Sequence, residues 1–251
     1  MNARLRTVPD SAMHADPFIC LPLRQGVLAD LRQAPLPTTF SGWLGMPLEL
    51  PENATHFAYV HAGAAHIECH AGRFTLAAGM YFSIAGTGRI SGDGQGIVLT
   101  RHGTLGMFQI GGPVEARGRL NYIDGCTDSL LIPPVLQGDA CLNLLCFPKG
   151  IEQSAHTHPS LRAGMVISGS GLCRTPLGTF PLCAGQPFLI HADRLHAFST
   201  PEEGMRVIAF HPDSDFGPTH RNHPMINRTM INGVSAAAID GIQTGNVNAL
   251  D

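Results

Sequence analysis

Residues 150–171 read GIEQSAHTHPSLRAGMVISGSG, and residues 183–198 read CAGQPFLIHADRLHAF. The first stretch carries Gly-x5-His-x-His-x3-Arg-x6-Gly, running from Gly150 through His156, His158 and Arg162 to Gly169. The second carries Gly-x5-His-x-Asp-x2-His, from Gly185 to His196. Side chains alternate along a strand, so His156 and His158 project from one face and can grip a single ion. His196, on a returning strand, closes the site. In a chain with 13 histidines a lone His-x-His would mean little. Here Gly150, Gly169, Gly171 and Gly185 fall where a short β-meander must reverse direction, and that frame gives the histidines their weight.

The two segments resemble the two motifs of the cupin superfamily, Gly-x5-His-x-His-x3,4-Glu-x6-Gly and Gly-x5-Pro-x-Gly-x2-His. The spacings agree throughout, and three identities differ. Arg162 stands where the family has a metal-binding glutamate, and a guanidinium has only donors, so it cannot ligate a cation. His191 and Asp193 replace the proline and glycine of the second motif, which changes the turn and leaves the third ligand, His196, in place. The resemblance implies a jelly-roll barrel holding three metal ligands, His156, His158 and His196.

A second copy of the pattern lies upstream. Aligning residues 60–84 with 166–190 at a constant offset of 106 gives nine identities in 25 positions, among them Gly63 with Gly169, Gly72 with Gly178, Gly79 with Gly185 and Ile84 with Ile190. That is an internal duplication. The expected fold is therefore all-β: two tandem cupin barrels, a bicupin, with irregular N- and C-terminal extensions. The same offset places the ligand positions on Leu50, Glu52, His56 and Ile90 in the first copy. Two of the four are apolar, so the first barrel is expected to be filled by its own side chains and to act structurally. His56 reads as a hydrogen-bonded core histidine.

The expected boundaries are a lead-in over 1–38, a degenerate barrel over 39–113, a metal-binding barrel over 114–212 and a C-terminal extension over 213–251. Within the lead-in, GVLADLRQA at 26–34 predicts a short helix that Pro35 stops. Strand-like runs follow at 56–62, 65–69, 73–76, 80–84 and 97–101, and Gly-Gly-Pro near 113 ends the first barrel. The extension carries Asp213, Asp215, His220 and His223, too polar for a core, and two readings stay open: a fold-back over a barrel surface by residues 212–232, or a solvated tail.

Composition agrees with this architecture. The 251 residues are 44% hydrophobic and 14% charged, with 29 glycines and 19 prolines, as expected of strands joined by tight turns. A net charge of −3 and a single lysine, Lys149, speak against nucleic acid or anionic membrane as a partner. No signal-length apolar stretch opens the sequence, which predicts a cytoplasmic protein. Seven cysteines without C-x-x-C spacing predict free thiols.

Imidazole serves iron, zinc, nickel and copper alike, so the residues leave the metal open. By resemblance, three-histidine cupins act as non-haem iron(II) oxygenases on chelating substrates, which favours one divalent ion, Fe(II), with Zn, Ni or Mn as alternatives. Glu152 is a candidate fourth ligand, although a regular strand puts it roughly 13 Å from His156. Arg162 has two readings: inward, where it anchors a substrate carboxylate, or outward in an ion pair with Asp193 or Glu152. Two function classes follow. One is a metal-dependent oxygenase of a small chelating organic acid or ketone, with a metal-dependent isomerase or hydrolase beside it. The other is a non-catalytic small-molecule-binding or regulatory cupin. Dimers are common among cupins, so the resemblance also implies a homodimer.

Overall fold

The structure, a computed structural model, describes residues 18–213 and 224–240. The first half contributes β1 (Phe18–Cys20), β2 (Gly26–Leu31), β3 (Thr38–Leu44), β4 (Leu48–Leu50), β5 (Ala54–Ala62), β6 (Ala64–Cys69), β7 (Gly72–Ala77), β8 (Tyr81–Ala85), β9 (Gly88–Ser91), β10 (Gln95–His102) and β11 (Gln109–Gly111). The second half contributes β12 (Leu120–Asn121), β13 (Thr127–Ile132), β14 (Cys141–Phe147), β15 (Arg162–Thr175), β16 (Gly178–Cys183), β17 (Pro187–Ile190), β18 (Ala197–Ser199) and β19 (Met205–His211). A six-stranded sheet in the order β11-β8-β5-β10-β3-β2 faces a four-stranded one, β4-β9-β6-β7, to make the first barrel. The second is built on β1-β17-β15-β19-β14-β13-β12, with β16 and β18 also paired to β15.

The duplication holds at the level of single hydrogen bonds. The hairpin pairs Ala64↔Ala77 and Cys69↔Gly72 recur at the same offset as Ser170↔Cys183 and Thr175↔Gly178. Val60 and Val166 each donate to a carbonyl at the following turn, Met80 and Gln186, and accept from Gly79 and Gly185. Both copies carry a bulge one residue past that valine, skipping His61 in β5 and Ile167 in β15. Gly63 and Gly169 then turn at φ 66° and 72°. A Cβ on Gly169 would meet the Gly204 carbonyl at 1.8 Å, so only glycine fits there.

Three clusters of buried side chains divide the interior. Trp43, Val60, Ile67, Leu76, Phe82 and Ile90 fill the first barrel, and Phe147, Val166, Phe188, Phe198 and Val207 line the second. The third lies between the barrels, where Phe40, Phe57, Tyr59 and Leu99 meet Leu142, Leu144, Met165, Ile208 and Phe210. β5 shows how a strand serves two cores: Phe57 and Tyr59 face the other barrel while Ala58 and Val60 face their own, so residues 54–60 are buried without a break.

At residues 26–34 the structure departs from the sequence reading. Gly26–Leu31 is β2, an antiparallel edge strand on β3, not a helix. A bulge between Val27 and Ala29 leaves Leu28, Ala29 and Leu31 all buried in the inter-barrel core, and sheet packing overrides the local propensity. β1 pairs with β17 of the other barrel, Phe18↔Ile190 to Cys20↔Phe188, so the described part of the lead-in supplies a strand to each barrel. All seven cysteines are free.

Residues 134–139 and 224–240 belong to a separate unit, with a short helix (Pro224–Arg228) and a hairpin whose Met230–Ile231 and Val234–Ser235 arms turn on Asn232 and Gly233, both at positive φ. Asp215, His220 and His223, on which the fold-back reading depends, lie outside the described residues.

In the first barrel Leu50 and Ile90 are buried in the apolar core and His56 is fully buried. His56 Nε2–H donates to the carbonyls of Pro51 and Gly86, 3.0 and 3.1 Å, which leaves Nδ1 to accept from Thr100 Oγ1 at 2.9 Å. Burial lowers its pKa from 6.5 to about 4. Below pH 6.5 the unfolded chain therefore gains a proton here that the folded chain refuses. Stability is present above pH 6.5 and falls as the pH drops toward 4, by up to about 3 kcal/mol at ~1.4 kcal/mol per pH unit. Urea midpoints between pH 7 and 4 should fall less steeply in His56→Gln than in the parent protein; parallel slopes would show that His56 does not carry the effect.

Candidate metal centre

His156 and His158 sit on the extended segment that precedes β15, and His196 on the segment that enters β18. His156 and His196 face each other directly in an antiparallel bridge, each amide donating to the other's carbonyl at 3.0 Å. Residues opposed in this way send their side chains to the same face, so the backbone alone places the two imidazoles side by side. Their ring centroids are 4.6 Å apart, and the His158 ring lies 4.9 Å from His156 and 5.2 Å from His196. The ligating nitrogens of the three all lie within 4.8 Å of one another, close enough to share one ion.

The second motif's turn explains the fit. Asp193 occupies the position of the family's glycine and adopts φ 59°, a conformation that Asp reaches more easily than most side chains. Its amide donates to the His158 carbonyl at 2.7 Å, tying the turn to the His-x-His segment.

The tautomers are fixed by neighbours that can only accept. His156 Nδ1–H donates to the Ser154 carbonyl at 2.8 Å and His196 Nδ1–H to the Arg194 carbonyl at 2.9 Å. Each Nε2 lone pair is thereby presented to the cavity, the arrangement a metal-binding histidine needs. Burial, with the nearby Arg162 and the other histidines, lowers His158 to about 3; burial likewise lowers His196 to about 4. Neutral imidazoles at neutral pH are the ligating form, so the donor set fits a divalent cation.

Arg162, the first residue of β15, lines the same cavity. Its Nη1 donates to the Ser160 carbonyl and hydroxyl, 3.1 and 2.8 Å, and to the Leu161 carbonyl, 3.0 Å. The outward reading, an ion pair with Glu152 or Asp193, is not what forms. Glu152 is exposed, bonded to Arg174, and bridges Ser199; it stands apart from the three-histidine cluster.

The cavity also holds groups that the motif reading missed. His211 follows Val207 and Ala209 on the inward face of β19, its ring 6.3 Å from that of His158, and burial holds its pKa well below the ordinary value. Asp128 and Asn143 enter from β13 and β14, and Gln153 from the segment before His156. Strand alternation would have found His211, and a polar residue in the middle of CLNLLCF marks Asn143. The free volume is about 50 Å³. A larger cavity of about 390 Å³ lies away from the histidines, but its charged residues, Glu115 and Arg119, neutralise each other, so chemistry and not size picks out the site.

No protein-family model and no curated protein matches the chain. Solved structures do. A cupin 2 conserved barrel domain protein from Leptotrichia buccalis is similar at TM-score 0.56 with 15% identity, over 77% of this chain and 88% of that one. Salicylate 1,2-dioxygenase from Pseudaminobacter salicylatoxidans is similar at TM-score 0.54 with 11% identity, over 70% of each chain. Oxalate decarboxylase from Bacillus subtilis, described with Mn(II) centres, is similar at TM-score 0.51 with 12% identity, over 80% of this chain and 78% of that one. At such identities the likeness shows the fold alone: this chain folds as cupin barrels do.

Proposed function

We propose that this chain is a bicupin whose second barrel holds one divalent metal, Fe(II) by preference, and that it oxygenates a small chelating organic acid or ketone. The observation that carries the reading is the convergence of three imidazoles in a cavity that Arg162 also lines. A divalent ion held by neutral ligands keeps its full charge and open positions, and so supplies Lewis-acid activation to a chelating ligand. The chain's own residues do the rest. Arg162 brings a permanent positive charge, suited to a carboxylate, beside the histidines. The apolar wall formed by Phe188, Phe198 and Val207 limits water and strengthens each polar contact inside.

Similarity to a dioxygenase and to a manganese decarboxylase supports a metal role for this barrel shape without choosing the reaction. No helix among the described residues is long and apolar enough to cross a membrane. We place the protein in the cytoplasm as a homodimer acting on a small molecule, with neither nucleic acid nor membrane as a partner.

Protein purified without oxygen should contain close to one iron per chain and consume oxygen when small keto or hydroxy acids, or 1,3-diketones, are added. Arg162→Met should weaken acid binding about 30-fold, the loss of ~2 kcal/mol expected for a charged hydrogen-bonded pair, with metal content unchanged. Stoichiometric zinc, or no metal, with no oxygen uptake would overturn the oxygenase reading in favour of hydrolysis, isomerisation or simple binding.

A further inference from the structure

Three polar side chains in this cavity have buried atoms without a hydrogen-bond partner among the described residues: Asp128 Oδ1, Asn143 Oδ1 and Gln153 Nε2. Their orientations are set by the bonds they do make. Asn143 Nδ2 donates to Asp128 Oδ2 at 3.1 Å, which leaves the amide oxygen over. Gln153 Oε1 accepts from the Phe198 amide at 3.3 Å, which leaves the NH2 group over. Asn143 and Gln153 are only 3% and 4% exposed, so bulk water does not satisfy them. Buried groups of this kind are rare in folded proteins because each loses its hydration without gaining a partner, and their clustering in one cavity points to a ligand that partners them.

The chemistry of that ligand follows from the set. Two atoms can only accept and one can only donate. A hydroxyl does both, sharing its one hydrogen between the Asp128 and Asn143 oxygens in a three-centre bond and accepting from Gln153, whereas an ammonium could not accept from Gln153 and a second carboxylate would set oxygen against the oxygens of Asp128 and Asn143. Arg162 and the metal positions favour a carboxylate at another point of the same molecule. Size adds a limit: a cavity of about 150 Å³ accommodates benzene, and this one has about 50 Å³.

Resting on the metal-site reading above, we propose that the ligand is a short aliphatic hydroxy acid whose hydroxyl is held by Asp128, Asn143 and Gln153. Burial raises the Asp128 pKa to about 6, as expected of a carboxylate short of one donor, and a ligand hydroxyl supplies that donor.

Calorimetry on protein loaded with one equivalent of zinc(II), which binds without turnover, tests this with matched pairs: glycolate, lactate, 3-hydroxypropionate and 3-hydroxybutyrate against acetate, propionate and butyrate. At least one hydroxy acid should bind tenfold or more tightly than its deoxy partner. In Asn143→Leu and, separately, Gln153→Met, that ratio should fall toward one while zinc content and deoxy-acid affinity hold. Since hydroxyl and carboxylate can also chelate the ion together, a preference that survives both variants belongs to the metal and overturns the inference. Acids that bind without any hydroxyl preference overturn it too, leaving the three groups to ordered water and the anionic-ligand reading intact. Failure of every acid to bind wild-type zinc protein overturns the anionic-ligand reading and this inference with it. If one variant fails to fold, the other still separates the pocket from the metal, and a wild-type protein without hydroxyl preference overturns the inference by itself.

Discussion

His196→Ala should bind less than a tenth of a metal ion per chain, against the one ion expected of the parent protein. Changing a group that merely supports a ligand typically costs 10–100-fold in metal affinity, so removing one of three ligands costs about 100-fold or more. The position also separates ligation from scaffolding. The hydrogen bonds that pair His196 with His156 are backbone ones, so that bridge should survive the substitution. The fold should therefore persist while the metal is lost. Wild-type melting temperature should rise with added metal, since a ligand that binds only the native state stabilises it, and the variant's should not. His56→Gln, in the barrel whose equivalent positions carry Leu50 and Ile90, should keep full metal content. Full retention by His196→Ala, or two ions per wild-type chain, would remove the three-histidine assignment.

The sequence exposed the parts of this molecule that depend on local geometry. Turn glycines require particular backbone angles, and strands fix side-chain parity, so the offset of 106 carried over to the hairpin registers without adjustment. His156, His158 and His196 were legible because their spacing is itself a geometric statement. What stayed hidden depends on distant partners. β2 looked helical because its bulge breaks the period of two, and the surface that buries Leu28 and Leu31 is built by other strands. The pairing of β1 with β17, across some 170 residues of chain, has no local signature. Asp128, Asn143, Gln153 and His211 belong to the site only because four separate segments converge. Arg162 was read from chemistry alone: its inability to ligate was evident, but its inward placement depends on β15 and β19 lying side by side.

Phe210→Ala should destabilise the folded chain by about 3–5 kcal/mol, the range for deleting a large buried aromatic side chain. Phe210 is completely buried in the core between the barrels, its ring 5.1 Å from that of Phe57 and tilted by 53°. It pairs with Ala163 across β15 and β19, so it anchors the outer face of the very strands whose inner faces present Arg162 and His211. Because Phe57 comes from the first barrel and Phe210 from the second, their contact should couple the two halves in one cooperative unfolding step. Alanine at both positions should cost less than the sum of the single changes, by about 0.5–1.5 kcal/mol, the measured range for aromatic pairs. Urea denaturation followed by tryptophan fluorescence from Trp43, in the first barrel, and by far-ultraviolet circular dichroism tests this. Coincident transitions shifted to lower urea in Phe210→Ala support a shared core, because Trp43 would then report a loss made in the other barrel. If the Trp43 transition stays in place while the dichroism transition moves, the barrels unfold independently and the first is not the structural support that its apolar, ligand-free interior implies.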